Sequence, residues 1–359
     1  MLNNILNNRK ISRFFIAAAF LSLYLNGNKN TDLTSYHYDN RYKDASQIYN
    51  QEIAVLITAY NRPEYFSQCI KSIEQNPQSQ SFIFIFALDG GPKSEQQQNV
   101  AIINSSTIKN KIILLRDRNY GCPKNHIDSK RFAFEWCKFK KVIILEEDIV
   151  ITPSYFTFLL NLHEWATRKY ANIGAVQGWA KCYLSKTQKK QKLNLVQENP
   201  ITWNFITYCI DSLCWQKISP ILYMFENFVD QIPHTPEYDK QRSKPYLWQG
   251  MKDIREWVHT LVNAKTKSPD NPHTLISKLS LRNFFLAPNF AAAQDVMMGF
   301  SFYMEDLIKL QPIVNRVLHI GKHGITTNEE RYDRLYKPMK LDVYEEDKTL
   351  LSFKFINGV

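Results

Sequence analysis

From residue 52 onwards, short continuous apolar runs alternate with stretches in which apolar residues recur at helical spacing. The apolar runs have the length and residue types of strands, and they span 53–57, 82–88, 111–115 and 142–145. A run that is apolar on both faces is typical of a strand in a parallel sheet that is covered on both sides. The alternation therefore predicts an α/β fold with a mostly parallel central sheet flanked by helices.

The second half of the chain has a less regular pattern. We expect a helix that begins at Pro153 with Thr152 as its cap, because threonine is favoured just before a helix and proline in its first turn. An amphipathic helix is predicted over 247–261, and a later helical stretch is expected to end near Leu310. The last predicted strand covers 314–320.

The N-terminus carries a targeting-like pattern. Basic residues at 9, 10 and 13 precede an apolar run over 14–25, which is typical of a signal sequence or signal anchor. The run is shorter than the roughly 20 residues that a membrane-spanning helix needs, so a docked helix or a tail remains an alternative. We expect membrane association through 14–25, and we favour a membrane-associated or secretory-pathway location over a cytoplasmic one.

Composition and charge narrow the function only in part. Of the 359 residues, 44% are hydrophobic and 22% are charged, which excludes a largely disordered chain. The six cysteines include no Cys-x-x-Cys pair, so a structural zinc site of the usual spacing is not expected, and most of them are interpreted as buried thiols. The net charge of +11 suits a polyanion, which could be nucleic acid, an anionic membrane face or a phosphate-bearing small molecule.

Several functional classes lose support because their motifs are absent from the sequence. It contains no Gly-x-Gly-x-x-Gly, no phosphate-binding P-loop motif and no Gly-x-Ser-x-Gly elbow. No nucleic-acid recognition module is recognisable, and we expect no nucleic-acid partner.

Polar side chains follow each of the four predicted strands, where the strand ends. The last strand runs directly into three carboxylates, Glu146, Glu147 and Asp148, which we call the acidic triplet. Ligands bind at the carboxyl ends of parallel strands, and hard divalent cations prefer carboxylate oxygens and are often shared with substrate phosphates. The triplet therefore indicates a cation site, although a solvated acidic turn remains the alternative.

Four segments in this order resemble the GT-A-fold glycosyltransferases, and most closely N-acetylglucosaminyltransferase I and its bacterial relatives. The segments are Val55–Pro63, the strand ending at Asp89, Arg118–Gly121 and Ile144–Phe156. The resemblance is firm over 52–165 and patchy over 166–330. It implies a Rossmann-like GT-A sheet with a smaller acceptor-side subregion, and a metal-dependent enzyme that transfers a sugar.

The resemblance also implies a division of the chain. Residues 1–51 would form the signal-anchor-like segment and linker, and 52–165 the half that binds the nucleotide sugar. Residues 166–330 would form the acceptor-binding and catalytic half, followed by a C-terminal tail over 331–359.

The resemblance assigns roles to particular residues. Asn61, Arg62 and Arg118 would bind the nucleotide and its phosphates, and Asp89 would hydrogen-bond the base or ribose. Glu146 and Glu147 would face the ribose and the donor sugar, and Asp148 would bind Mn²⁺ or Mg²⁺ directly, with His323 as a candidate further ligand. For Arg62 and Asp89, turn-forming roles remain open.

An inverting transferase needs a carboxylate that deprotonates the acceptor hydroxyl. Asp295 occupies the place that matches the family's base, although a helix-capping or first-turn role is the alternative. One departure from the family lies at 208–215, where Asp211 stands in place of a usual glycine and tryptophan motif.

The resemblance therefore implies an inverting hexosyl- or N-acetylhexosaminyltransferase. We expect a UDP-linked donor such as UDP-N-acetylglucosamine, and a glycan, glycoprotein or lipid-linked acceptor. The departure at 208–215 motivates an alternative, a catalytically inactive carbohydrate-binding protein of the same fold.

Overall fold

Nine strands of the described chain form one mixed sheet that carries the candidate site along one edge. The computed structural model describes residues 52–199, 205–247, 251–265, 281–288, 290–324 and 328–356. The targeting-like N-terminus and the predicted domain boundary at 51 lie outside the described residues.

The strands are numbered in chain order, and the first of them begins at Ile53. They are β1 (Ile53–Ala59), β2 (Ile83–Leu88), β3 (Lys111–Leu115), β4 (Lys141–Glu146), β5 (Ile149–Ile151), β6 (Ile173–Gln177), β7 (Leu195–Glu198), β8 (Tyr208–Asp211), β9 (Ile308–Pro312), β10 (Val317–His319) and β11 (Lys354–Phe355). The large sheet has the order β11-β7-β9-β6-β8-β4-β1-β2-β3, and β5 pairs with β10 in a separate two-stranded sheet.

Helices cover the large sheet. They are α1 (Pro63–Glu74), α2 (Lys93–Ser105), α3 (Cys122–Arg131), α4 (Tyr155–Lys169), α5 (Lys186–Lys190), α6 (Ser212–Val229), α7 (Asp239–Ser243), α8 (Met251–Ala264), α9 (Gln294–Met304) and α10 (Glu329–Leu335). A π-helical turn, Phe132–Trp136, continues α3. The expected α/β class is confirmed.

Strand β1 shows why the apolar runs are continuous. Ala54 and Leu56 pack into a core on one face of the sheet, together with residues of α3, α6, α8 and α9. Val55 and Ile57 pack into a second core on the other face, together with residues of α1, α2 and α4. Because successive side chains of a strand point to opposite faces, burial of both faces requires an apolar residue at nearly every position.

The central strands run in parallel and end at the same edge. Strand β1 pairs in parallel with β2 and β4, and Thr58 of β1 lies opposite Glu146 of β4. Strand β8 is inserted antiparallel between β4 and β6. Strands from both predicted halves of the chain therefore share one sheet.

Several predicted element boundaries are wrong, and the amphipathic helix expected over 247–261 is α8, which covers Met251–Ala264. The helix expected at Pro153 begins at Tyr155, because β5 extends the chain and the Thr152 N–H donates to the Arg316 carbonyl oxygen. The helix that contains Asp295 ends at Met304, because Asp306 adopts a positive φ of 54° and the chain then enters β9. The strand expected over 314–320 is shorter, since pairing with β5 is confined to β10.

Two further expectations from the sequence concern the state of the cysteines and the presence of membrane-spanning helices. All six cysteines are free thiols, and all but Cys122 are buried, as expected. None of the helices in the described part of the chain is long and apolar enough to cross a membrane. The apolar run over 14–25 lies outside that part.

Candidate active site

A cleft of about 460 Å³ opens at the carboxyl ends of the central strands. Its size falls in the range of roughly 300–1,000 Å³ that is usual for ligand sites. Seven of the nine predicted site residues line it: Asn61, Arg62, Asp89, Glu146, Glu147, Asp148 and His323. Parallel strand ends bring these residues together although they are far apart in the sequence.

Arg62 holds two members of the acidic triplet. Its Nε lies 2.9 Å and its Nη2 2.5 Å from Glu147 Oε1, and its Nη1 lies 2.9 Å from Asp148 Oδ2. Burial opposes the charge of Arg62, but the carboxylates of Glu147 and Asp148 outweigh it and raise the pKa of the guanidinium. Arg62 therefore stays cationic and neutralises part of the triplet.

The β5–β10 pairing places His319 beside Asp148. His319 lies opposite Ile149 in the register, and the Ile320 N–H donates to the Asp148 carbonyl oxygen at 2.8 Å. His319 Nε2 lies 3.4 Å from Asp148 Oδ2. Burial lowers the pKa of His319, and a neutral imidazole is the form that can bind a metal ion.

Asp148 retains unused hydrogen-bonding capacity. Its Oδ1 is buried and has no hydrogen-bond partner in the described part of the chain. A Cβ at position 321 would overlap Asp148 Oδ2, so a larger residue than glycine would require this carboxylate to move. A buried carboxylate oxygen without a donor is a reason to look for a ligand.

The metal expectation receives chemical but not geometric support. Within the described ranges, no group of three or more His, Cys, Asp or Glu side chains is arranged to hold a metal ion. The unpartnered Asp148 oxygen and the neutral imidazole of His319 nevertheless fit a divalent cation such as Mn²⁺, whose other positions water and substrate oxygens can fill. His323, the predicted ligand, is exposed, and its carbonyl oxygen accepts from Arg62 at 3.3 Å.

Asp89 lies at the end of β2 with its carboxylate buried. Its Oδ1 accepts from the backbone N–H groups of Gly90 at 2.9 Å and Tyr120 at 2.7 Å. Burial raises the pKa of Asp89 to about 6. Arg118 is exposed outside the cleft, with its guanidinium 5.9 Å from the ring centroid of Tyr120.

Asp295 lies in the first turn of α9, and it is not among the residues that line the cleft. Its Oδ1 accepts from the Val296 N–H at 2.9 Å. Burial raises the pKa of Asp295 to about 6, and the carboxylate also contributes to the raised pKa of Glu146. Asp295 is therefore an electrostatic neighbour of the acidic triplet, with a pKa suited to accepting a proton near neutral pH.

Other cleft residues escaped the sequence analysis. Thr58, Asn125 and His126 line the cleft, and so does Cys122 at the start of α3. His126 and Lys130 share one face of α3 at a spacing of four residues, a signal that could have been read once α3 was known to follow a strand end.

Comparison with known proteins does not identify a family. No protein-family model and no curated protein matches the sequence. Among solved structures, TarS 1–349 from S. aureus is 11% identical with a TM-score of 0.33, over 71% of this chain and 91% of that one. The mannosyltransferase PcManGT from Pyrobaculum calidifontis, in complex with GDP-Man and Mn²⁺, is 10% identical with a TM-score of 0.33, over 84% and 97%.

A third solved structure with a similarly low score is glucosyl-3-phosphoglycerate synthase from Mycobacterium tuberculosis, in complex with Mn²⁺, UDP and phosphoglyceric acid. It is 10% identical with a TM-score of 0.30, over 53% of this chain and 69% of that one. Similarity at this level establishes neither an activity nor a family. The resemblance to N-acetylglucosaminyltransferase I stays a prediction.

Proposed function

We propose that this protein is a metal-dependent glycosyltransferase. It would move a sugar from a nucleotide donor to an acceptor hydroxyl with inversion. The observation that carries the proposal is the cleft at the ends of β1, β2 and β4, where Arg62 and the acidic triplet meet beside His319. An arginine fork suits phosphate, and carboxylates suit sugar hydroxyls and a hard cation.

The donor would lie along the strand ends. Asn61 and Asp89 would contact the nucleoside, with Arg118 near its outer side, and Arg62 would bind the diphosphate. Asp148 would hold the cation, with His319 as the nearest imidazole and His323 as the ligand predicted from sequence. The cation supplies positive charge that stabilises a diphosphate leaving group.

Asp295 would act on the acceptor. Its carboxylate would take the proton of the acceptor hydroxyl as the oxygen forms a bond to the anomeric carbon. The bond from that carbon to the donor's diphosphate breaks on the opposite face, so the configuration inverts. Burial raises the pKa of Asp295 to about 6, which makes its carboxylate a stronger base than an ordinary aspartate. The carboxylate is still mostly ionised at pH 7, and both properties support this role.

The donor and acceptor follow from the resemblance. A hexose or N-acetylhexosamine linked to UDP, such as UDP-N-acetylglucosamine, remains the expected donor. The acceptor would be a glycan, a glycoprotein or a lipid-linked sugar. A lipid-linked acceptor would fit membrane association through 14–25.

Asp211, the residue of the altered segment that motivated an inactive relative, lies away from the cleft. Asp211 is opposite Lys141, at the start of β4, whereas the acidic triplet begins at the last residue of that strand. Its Oδ1 accepts from the Cys214 N–H and caps α6. This placement gives Asp211 a local structural role and favours the enzyme over the inactive carbohydrate-binding alternative.

A donor screen tests the proposal. The melting temperature of the protein is measured with UDP-glucose, UDP-N-acetylglucosamine and GDP-mannose, each with and without Mn²⁺, and hydrolysis of each donor is measured alongside. We expect one donor to raise the melting temperature only with Mn²⁺, because a ligand that binds only the folded state stabilises it.

Matched variants separate the active site from general damage. Asp148→Asn should abolish the Mn²⁺-dependent shift and lower the turnover about a hundredfold, whereas Glu164→Gln on the exposed side of α4 should retain both. A protein that no donor stabilises or reacts with, in either metal condition, would contradict the proposal.

A further inference from the structure

Arg62 lies against the carboxylate that the proposed cation needs. Its Nη1 is 2.9 Å from Asp148 Oδ2, the same oxygen that faces His319 Nε2 at 3.4 Å. The side chain of Asp148 is only 4% exposed, so solvent and salt screen this pair weakly. The proposed function therefore places two positive groups, a guanidinium and a divalent cation, at one carboxylate.

Three further contacts hold Arg62 in this place. Its Nε and Nη2 lie 2.9 Å and 2.5 Å from Glu147 Oε1, and its Nη1 donates to the His323 carbonyl oxygen at 3.3 Å. Gly324 lies close to the same nitrogen, since a Cβ there would come within 2.9 Å of Arg62 Nη1. Contacts from two distant segments of the chain thus keep the guanidinium beside Asp148.

The guanidinium and a cation oppose each other at Asp148. Arg62 contacts Oδ2, and Oδ1 has no hydrogen-bond partner in the described part of the chain. Both oxygens belong to one small group, so a cation on either of them lies close to the guanidinium. Like charges at such a separation repel strongly where water is largely excluded. A free metal ion should therefore bind poorly while Arg62 stays on Asp148.

A diphosphate removes this conflict. Phosphate oxygens accept from an arginine fork, and they also coordinate a hard cation. Arg62 can be reached from the cleft, because its side chain is 23% exposed, against 10% for Glu147 and 4% for Asp148. Its contacts with Glu147 can stay in place, since only the contact between Nη1 and Asp148 has to be given up.

We infer that Arg62 is a specificity-determining residue that makes the cleft selective for the metal–nucleotide complex over the free cation. This inference rests on the proposed function and deepens it. In the arrangement described above, the guanidinium neutralises Asp148 in place of a metal ion. A nucleoside diphosphate draws the guanidinium to its phosphates and leaves Asp148 to the cation. By linkage, the cation raises the affinity for the nucleotide by the same factor.

The first test measures the affinity for Mn²⁺ alone, so it needs neither nucleotide nor turnover. The Kd of Mn²⁺ is determined at neutral pH by electron paramagnetic resonance of the free ion. Arg62→Met removes the opposing charge, and Arg62→Gln does the same while keeping a donor for Glu147. We expect both variants to bind Mn²⁺ about tenfold more tightly than the wild type, a change within the usual range for coupling between two ligands.

The second test measures the coupling itself. The Kd of UDP, or of GDP if GDP-mannose is the donor found in the screen, is measured by calorimetry without metal and with saturating Mn²⁺. We expect Mn²⁺ to lower this Kd by a factor about tenfold larger in the wild type than in the two variants, whose Asp148 is already free. Binding of Mn²⁺ to the nucleotide in solution is equal for all three proteins and cancels in the comparison.

Lys322 supplies a matched control. It precedes His323 in the sequence, and its Nζ pairs with Glu329 at 2.5 Å. Lys322→Met removes one positive charge near the cleft without changing the contacts of Asp148. It should leave the Kd of Mn²⁺ within about twofold of the wild-type value, because charges at the surface are screened by salt.

The other outcomes overturn the inference. Melting temperatures show which variants fold, and if Arg62→Met does not, Arg62→Gln decides the question. Unchanged or weaker Mn²⁺ binding in a folded Arg62 variant would mean that the guanidinium does not oppose the cation. An equal gain in Lys322→Met would mean that net charge alone explains the effect.

Failure of this inference can be told apart from failure of the proposed function. If the wild type binds no nucleoside diphosphate in the presence of Mn²⁺, both fail together. If the wild type binds the nucleotide with Mn²⁺ but the Arg62 variants bind free Mn²⁺ no better, the failure is confined to the role of Arg62.

Discussion

Two arginines of this chain bind carboxylates in opposite settings. Arg316 and Asp347 have fully buried side chains, with Nε and Nη2 of the arginine each 2.7 Å from a carboxylate oxygen. The guanidinium also donates to the carbonyl oxygens of Val314 and Leu193, and the Ser154 hydroxyl donates to Asp347. This pair joins the strand region before β10 to the C-terminal segment.

Arg62 makes a pair of the same chemistry that stays open. Its side chain is 23% exposed at the cleft, and it serves both Glu147 and Asp148. Asp148 keeps one buried oxygen without a partner in the described part of the chain. The Arg316 pair is therefore closed: its hydrogen bonds are satisfied within the chain, and it stabilises the fold. The Arg62 pair is open, because it leaves hydrogen-bonding capacity for a ligand.

The largest expected effect lies in the closed pair. Arg316→Met leaves the carboxylate of Asp347 buried without its main partner, and we expect the free energy of unfolding to fall by about 3–5 kcal/mol. Urea unfolding followed by circular dichroism measures the change.

The control restores the balance of charge. Arg316→Met combined with Asp347→Leu should recover much of the lost stability, because a buried apolar pair often replaces a buried ion pair without loss. Arg168→Met removes an exposed partner of Glu164 and should change stability little. A single Arg316→Met variant as stable as the wild type would remove the distinction between the two pairs.

A change in the open pair should lower turnover strongly and stability only slightly. Asp148→Asn removes the carboxylate that would hold the cation, and we expect donor turnover to fall about a hundredfold, as when one preorganised charge at a transition state is lost. Stability should change far less than in Arg316→Met, because no closed network is broken. A loss of stability as large as that of Arg316→Met would show that Asp148 is chiefly structural.

The sequence predicts the side of the sheet that carries the cleft because the signals there are local. Strands buried on both faces are continuous apolar runs, and their polar ends lie at one edge whatever follows in the chain. For this reason Arg62, Asp89 and the acidic triplet could be placed in one site from sequence.

The remaining parts of the site depend on contacts between distant segments. His319 reaches Asp148 only because β10 pairs with β5, and that short pairing leaves no periodic signal. His323, four residues on, was the sequence-based choice, since spacing alone does not show which residue the turn brings inward. The place of His126 in the cleft lining likewise depends on which face of α3 packs against β1, where the His126 ring contacts Thr58.

A smaller effect is expected from Arg62→Lys, which keeps the charge of the open pair but removes the planar fork. A lysine cannot make the paired contacts that an arginine makes to phosphate. We expect the Kd of the nucleoside diphosphate to rise roughly tenfold, the value of one charge-assisted hydrogen bond. Calorimetry with UDP and Mn²⁺ measures it, and an unchanged Kd would show that Arg62 serves the acidic triplet alone.

The smallest effect near neutral pH concerns Asp295. Burial raises the pKa of this residue to about 6. As a base it must be ionised, so kcat/KM should be nearly constant above pH 7 and fall tenfold per unit well below pH 6.

The raised pKa of Asp295 also means that the folded state binds the proton more tightly than the unfolded chain. Asp295 therefore costs stability once the pH rises above its unfolded pKa near 4. Asp295→Asn should then be more stable than the wild type at pH 8 while losing turnover, unlike any variant of the Arg316 pair. A pH profile without this fall, or a variant that loses stability at pH 8, would place Asp295 with the structural residues.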